Sequence, residues 1–471
     1  MKENRIEKDK LGKQKIDNNS YWGIHTQRAL ENFPISDLRL HPEFVKSMAL
    51  VKYACALTNQ QLGFLSKQKA QSIQSACKKI YKGKFNDQFM LDALQGGAGT
   101  STNMNFNEVI ANIALEELGH DKGNYDVINP LHDVNKHQST NDVYPTALKI
   151  AALKLLKTLE KETAYLQEDL QKKEIEFQNV IKLGRTQLQD AVPMTLGMEF
   201  GAYADTISRD RWRIFKSRER IKIINIGGTA IGTGLGAPRD YIFKLTENLR
   251  NLCGLSIARG ENLVDATQNL DSFVEVSGML KAYASNLFKI SSDLRLLNSG
   301  PNGGINEIDL PAVQTGSSIM PDKINPVIPE AVSQIALKVF GNDYILTQAV
   351  SLGQLELNQF IPVINHSLLE TLEILINGSI ILREKCIKGI KANKVICESN
   401  LKGSKSIAAS LVPILGYQKV EELIERSRSE NIDVKSLILE ENLMKKEELN
   451  RLLSAENLYK LGFSDEIKKG G

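Results

Sequence analysis

At 471 residues the chain is longer than a single hydrophobic core usually serves, so two or three domains are expected. Its 59 basic and 56 acidic side chains nearly cancel to a formal net charge of +3, which gives no basis for binding nucleic acid or an anionic membrane surface. Hydrophobic residues at 42% and charged residues at 24% can fill a large core, and no apolar run reaches the roughly 20 residues that span a bilayer.

The chain opens on Met1-Lys-Glu-Asn-Arg-Ile-Glu-Lys-Asp-Lys10, which lacks the apolar segment of a signal peptide; a soluble, cytoplasmic protein is the expectation. Cys55, Cys77, Cys253, Cys386 and Cys397 are odd in number and scattered without metal-type spacing, and read as reduced thiols. Basic tracts such as Lys445-Lys-Glu-Glu448 are interleaved with acids and suit solvated helix faces.

The positions of the 13 prolines mark out long helices. None falls between Pro145 and Pro193, Pro238 and Pro301, Pro329 and Pro362, or Pro362 and Pro413. Those windows hold helices of roughly 25 to 45 residues, well above the usual length of about 11. Leu148, Ala151, Ala152, Leu155, Leu159, Leu166 and Leu170 recur at helical spacing. Asn262 is placed to cap a further helix carrying Leu263, Ala266, Leu270, Phe273, Val274 and Leu280 on its buried side. Alternating strand patterns are scarce, so the chain is read as all-α. The segment Val327 to Val350 is apolar on more than one side, which predicts packing against several neighbours and self-association. From about Lys402 the helices become shorter and more charged, as in a small separate domain.

Short polar clusters punctuate this helical chain. Gly96-Gly-Ala-Gly99 lets backbone approach a ligand closely, and Thr100 follows with a hydroxyl. Ser139, Thr140 and Asn141 precede Pro145 and a long helix, and Thr186 and Gln187 precede Val192-Pro193, read as another helix junction. Each cluster suits a helix cap, and a helix N-terminus also suits a carboxylate. In Gly316-Ser-Ser-Ile-Met-Pro-Asp-Lys-Ile-Asn-Pro326, Ser317 and Ser318 supply hydroxyls, Lys323 a cation and Asn325 neutral hydrogen bonds. Neutral donors around one strong cation fit a small dicarboxylate. No P-loop, nucleotide fingerprint or metal-binding His pair is present in the sequence.

The loop at 316–326 resembles the signature loop of the aspartase/fumarase superfamily. Gly96 to Asn105, Gln138 to Asp142, Gly184-Arg-Thr-Gln-Leu-Gln-Asp-Ala-Val-Pro193 and Tyr21-Trp-Gly-Ile-His-Thr-Gln-Arg-Ala-Leu-Glu-Asn-Phe33 resemble its other segments, in the family's order. The resemblance runs from about residue 3 to about residue 465. It implies a three-domain fold: an N-terminal helical domain (1–141), a central long-helix bundle (142–397) and a small C-terminal helical domain (398–471). It also implies a homotetramer with one shared helical core and active sites built from three subunits.

The same resemblance implies a carbon–nitrogen lyase that needs no cofactor, with activation by a divalent cation such as Mg2+ left open. Ser317 is then the base that removes the C3 proton, giving an aci-carboxylate intermediate. Thr100, Ser139, Thr140 and Ser318 hold the β-carboxylate, and Thr186, Lys323 and Asn325 the α-carboxylate. Asn141 and Gln187 face the amino group, and Glu330 supports. Fumarases of the superfamily carry Gly-Arg-Thr-His where this chain has Gln187. A neutral amide cannot take a proton from water but can bond an ammonium group. Ile24-His-Thr-Gln-Arg-Ala29 and Glu31-Asn-Phe-Pro-Ile-Ser36 also resemble the aspartase branch, whereas Gly228-Thr-Ala-Ile-Gly-Thr-Gly234 is shared more widely. Reversible deamination of L-aspartate to fumarate and ammonia is therefore expected. The alternatives are a class II fumarase and a catalytically weakened dicarboxylate-binding homologue; lyases of argininosuccinate or adenylosuccinate fit less well.

Four departures from the family pattern stand out. Asp322 replaces the usual Gly or Ala before the loop lysine, and Asn302 replaces an arginine. In Asn129-Pro-Leu-His-Asp-Val-Asn135, Leu131 replaces a polar residue while His132 and Asp133 stand exchanged. His137 replaces a smaller residue and is read as a core or capping histidine.

Overall fold

In the computed structural model, residues 4–460 and Gly462 are described. Helices dominate, and strands occur only as pairs. A hairpin of β1 (Asn4–Asp9) and β2 (Gly12–Asp17) is followed by α1 (Ile24–Asn32), α2 (Pro42–Gln61), α3 (Lys67–Tyr81) and α4 (Thr100–Glu117). Then come the 37-residue α5 (Thr140–Glu176), a hairpin of β3 (Ile181–Thr186) and β4 (Gln189–Thr195), and α6 (Leu196–Ile221). Next, β5 (Ile223–Ile224) pairs in parallel with β6 (Ala258–Arg259) around α7 (Arg239–Cys253), ahead of α8 (Leu263–Gln268) and α9 (Asp271–Leu297). After β7 (Ile308–Asp309) come α10 (Val327–Ser351) and α11 (Ile361–Lys385), and β8 (Lys391–Ala392) pairs back to β7. The chain finishes in short helices: α12 (Lys394–Gly403), α13 (Val412–Leu415), α14 (Tyr417–Ser429), α15 (Val434–Glu440), α16 (Lys446–Leu452) and α17 (Ala455–Leu458).

These elements divide into two compact units. The first comprises residues 1–160, 212–284 and 337–376; the second comprises 161–211, 285–336 and 377–471. In the first unit α4 is buried on every side from Thr102 to Leu115, as a helix at the centre of a bundle must be. Phe89 stacks on Phe106 at 4.3 Å between centroids, and Phe44 packs on Tyr144 at 4.8 Å. In the second unit Leu401, Ile407, Leu411, Leu423, Leu437, Ile438 and Leu449 form a core of their own, to which Leu183 of β3 contributes.

Most of the helical expectations match the structure. Leu148, Ala151, Ala152, Leu159, Leu166 and Leu170 are buried along α5, while Leu155 is half-buried. Pro145 lies inside α5 near its start, and the Asn141 carbonyl that its missing N–H would have met accepts from Asn225 Nδ2 instead, so little is lost. Among the described residues no helix is long and apolar enough to cross a membrane. The cysteines are free thiols, and burial pushes Cys55, Cys386 and Cys397 up to about 12.

Two expectations are corrected. Asn262 does cap a helix, accepting from the Val264 and Asp265 N–H groups, but α8 stops at Gln268 and α9 starts afresh at Asp271. Thr186 and Gln187 stand at no helix junction. Thr186 ends β3, and Gln187 and Leu188 form the hairpin tip with φ of 54° and 61°. Such twin positive φ values match a type I′ turn, whose twist suits the strands even without Gly or Asn.

Candidate active site

Thr100, Ser139, Thr140 and Asn141 belong to the first unit, at the starts of α4 and α5. The N-cap of α4 is Gly99, with φ of 85°, and Thr100 is the first helical residue, solvent-exposed. A Cβ on Gly99 would lie 2.5 Å from the Tyr144 ring, so only glycine lets this turn pass. Ser139 precedes α5 in a reciprocal cap: its hydroxyl accepts from the Asn141 N–H at 3.2 Å, and Asp142 Oδ1 accepts from the Ser139 N–H at 3.0 Å.

Three long-range bonds tie these segments to one another and to residues 225–230. Asn103 Nδ2 of α4 donates to Thr140 Oγ1 at 3.0 Å. Asn141 Nδ2 donates to the Ala230 carbonyl at 2.7 Å, and Asn225 Nδ2 donates to the Asn141 carbonyl at 2.8 Å. The buried Asp142 carboxylate also accepts from the Gly227 and Thr229 N–H groups, at 3.1 and 3.2 Å. The glycine-rich stretch at 228–234 is thereby tied to the Ser139–Asn141 segment. Burial dominates at Asp142 and raises its pKa to about 7, against the pull of those N–H donors.

Thr186, Gln187, Ser317, Ser318, Lys323, Asn325 and Glu330 belong to the second unit. Thr186 and Gln187 are exposed at the β3–β4 tip. Behind them the hairpin is anchored by the Arg185 guanidinium, which makes two bonds to the fully buried Glu307 carboxylate at 2.8 and 3.0 Å. Lys182 stands 3.2 Å from the same carboxylate, and Asn400 donates to it at 3.2 Å.

The loop at 316–326 leads into α10 and is closed on itself. The Gly316 N–H donates to the Lys323 carbonyl at 3.0 Å, and Asn325 Nδ2 donates to the Gly316 carbonyl at 2.6 Å. A Cβ at 316 would meet the Lys323 carbonyl at 2.3 Å, so the closure needs glycine. Ser317 Oγ accepts from the Ile319 and Met320 N–H groups at 3.2 and 2.9 Å. Donors on a hydroxyl oxygen favour its deprotonated form. Ser318 and Lys323 are exposed. Lys323, Asn325 and Glu330 line an open cleft of about 730 Å³, together with Asp322, Arg295 and Asp309. Within this unit no hydrogen bond among the described residues joins the hairpin tip to the loop.

The structure also places the departures. Asp322 lines the cleft beside Lys323. Asp133 bonds Lys69 at 2.8 Å and accepts from the Asn129 N–H at 2.8 Å, so this carboxylate is spent on holding the 129–134 turn. Leu131 is exposed on that turn. His137, with φ of 62°, is half-buried and contacts Asn59 Oδ1 at 2.8 Å and the Phe64 and Tyr241 rings edge-on. The motif at 21–33 is also anchored from below: buried Glu108 accepts from the N–H groups of Gly23, His25 and Thr26 and from the Thr26 hydroxyl. Asn103, Glu108 and Glu307 were not singled out from the sequence. Asn103 lies inside the glycine motif, whereas the partners of Glu108 and Glu307 are some 80 to 120 residues away.

Comparison with known proteins places this geometry in context. Residues 12–341 match the family model described as Lyase, and residues 407–460 match that of the fumarase C C-terminus. The chain is 47% identical to the aspartate ammonia-lyase of a Bacillus species over 450 residues, 96% of each chain. It is 45% identical to that of Escherichia coli K12 over 457 residues, again 96% of each. Among solved structures, the fumarate lyase:delta crystallin of Brucella melitensis superposes with a TM-score of 0.93 at 43% identity, covering 98% of this chain and 100% of that one. The class II fumarase of Schistosoma mansoni superposes with a TM-score of 0.90 at 32% identity, covering 96% and 98%.

Proposed function

This chain belongs to the lyase family that contains the aspartases and class II fumarases, and on that premise we propose that it deaminates L-aspartate reversibly to fumarate and ammonia. The observation that carries the reading is the near-complete match, at 44–47% identity, to aspartate ammonia-lyases from several bacteria. The amide of Gln187, exposed at a hairpin tip, supports it. It can accept from the substrate ammonium, and it offers no base to activate water.

In the mechanism proposed here, Ser317 removes the C3 proton as an alkoxide favoured by the Ile319 and Met320 N–H groups and by the charge of Lys323. The carbanion delocalises into the neighbouring β-carboxylate as an aci-carboxylate. Thr100, Ser139, Thr140 and Ser318 surround that group and bind it most strongly when it carries the extra charge. Lys323, Asn325 and Thr186 hold the α-carboxylate, and Asn141 and Gln187 direct the ammonium until ammonia leaves. Glu330 supports from the first turn of α10.

These residues are to act together in a homotetramer in which each active site draws on three subunits. Leu337 (58% exposed), Tyr344 (68%) and Ile345 (43%) on α10 support this, being apolar surface that a long helix would cover in an assembly. Equal release of fumarate and ammonia from L-aspartate, with no fumarate from L-malate, tests the reading.

A further inference from the structure

Lys52 lies in the middle of α2 and is fully buried, yet it makes no ion pair among the described residues. Its ammonium donates to Gln138 Oε1 at 2.9 Å and to Asn135 Oδ1 at 3.1 Å. The Asn135 oxygen accepts in addition from Asn103 Nδ2 at 3.2 Å and Asn107 Nδ2 at 3.1 Å. Asn135 Nδ2 donates to the Gln138 carbonyl at 3.2 Å, and Gln138 Nε2 donates to the Val134 carbonyl at 2.8 Å. Lys52 is thus the only cation in a closed ring of amides, and this ring fixes residues 134–138 immediately before Ser139, Thr140 and Asn141. Asn103 belongs to the ring and also bonds the Thr140 hydroxyl, so displacement of the ring is passed directly to that side chain.

A buried ammonium bonded only to neutral amides is costly, and an apolar residue of its length would fit the helix at less cost. Its position in front of a carboxylate-binding segment supplies the compensation. Resting on the site reading proposed above, we infer that Lys52 is a positioning residue for the reaction: it sets the Asn135–Gln138 turn that presents Ser139, Thr140 and Asn141, and its buried charge favours the dicarboxylate there. The titratable groups that face it are Cys55 on its own helix, Cys77 on α3 and Asp142 on α5. Burial lowers the Lys52 pKa to about 8, with Cys55, Asp142 and Cys77 opposing. The charge is therefore lost on the alkaline side of neutrality.

The test uses the full-length protein with succinate as a non-reacting dicarboxylate, measuring its inhibition constant from about pH 6.5 to 9, together with KM and kcat for L-aspartate. Lys52→Met is expected to keep the assembly and a melting temperature close to that of the unsubstituted protein. It should raise KM and the succinate constant about tenfold, as loss of ground-state binding does, and flatten their rise at alkaline pH. Gln138→Met, which leaves the lysine in place, is expected to move both constants in the same direction, and it carries the test if Lys52→Met does not fold. Ser139→Ala and Thr140→Val serve as references. If they leave succinate binding unchanged, the site reading falls and the inference with it. If they weaken it while folded Gln138→Met, and Lys52→Met where it folds, bind normally at every pH, the role of Lys52 alone is overturned.

Discussion

The Arg185 guanidinium grips the buried Glu307 carboxylate through two bonds, of 2.8 and 3.0 Å, immediately before Thr186 and the Gln187-Leu188 tip. Glu307 balances Arg185 and, together with Glu199, the buried Lys182, which stands 3.2 Å from it. Removing one partner of such a group leaves buried charge uncompensated. Glu307→Gln is expected to destabilise the protein by about 3–5 kcal/mol, read as a lower denaturant midpoint. Burial works to raise the Glu307 pKa, but Arg185, Lys182 and Asn400 outweigh it and hold the carboxyl below its ordinary value. Its stabilising contribution is therefore full above the unfolded-state pKa and is lost as pH falls through the depressed folded-state value. Acid unfolding should show this loss in the unsubstituted protein and lack it in Glu307→Gln.

Ser317→Ala tests the proposed base. Its hydroxyl oxygen accepts two loop N–H groups that an alanine leaves unused, on an exposed loop that contributes little to stability. Turnover should fall by at least ~10²–10⁴-fold, with sedimentation and melting unchanged. Undiminished activity would remove Ser317 as the base.

Lys323→Ala probes the proposed α-carboxylate contact. A charge-assisted hydrogen bond is worth about 1.5–3 kcal/mol, so KM for L-aspartate should rise roughly 10- to 100-fold, measurable by steady-state kinetics. An unchanged KM would place the carboxylate elsewhere.

Asp322→Gly restores the residue type common in the family. Asp322 and Lys323 line the same cleft, where the cations Arg295 and Lys323 face the carboxylates of Asp309, Asp322 and Glu330. Removing one exposed negative charge should lower KM a few-fold, the size of a screened surface interaction. The gain should shrink as salt is added, and a salt-independent change would argue for a reshaped loop instead.

Gly316→Ala tests the loop's closure. The added methyl would stand 2.3 Å from the Lys323 carbonyl, so the turn must open and carry Lys323 and Asn325 with it. Activity should be lost while melting is nearly unchanged, because the loop is exposed. Normal kinetics would mean that the closed form has no bearing on catalysis.

The long helices were legible because their causes are local. Pro-free windows and the spacing of Leu148, Ala152, Leu159, Leu166 and Leu170 suffice to draw α5. The α8–α9 break was not, since nothing between Gln268 and Asp271 interrupts the apolar spacing, and packing decides there. The β3–β4 hairpin was hidden because its tip, Gln187-Leu188, carries no glycine or asparagine to signal positive φ. Candidate ligands could be named from motifs, but what holds them could not. Lys52 bonds residues more than 80 positions away, and Arg185 bonds one 122 positions away. A local trace of Lys52 did exist: it interrupts the apolar run Met48-Ala-Leu-Val-Lys-Tyr-Ala-Cys55, where a cation must be buried or break the face.

Proton NMR of the purified protein incubated with fumarate, once with ammonium and once without, decides between deamination and hydration. Aspartate formed only in the presence of ammonium is the predicted result. Malate formed without ammonium would contradict it, making the chain a hydratase that activates water despite Gln187.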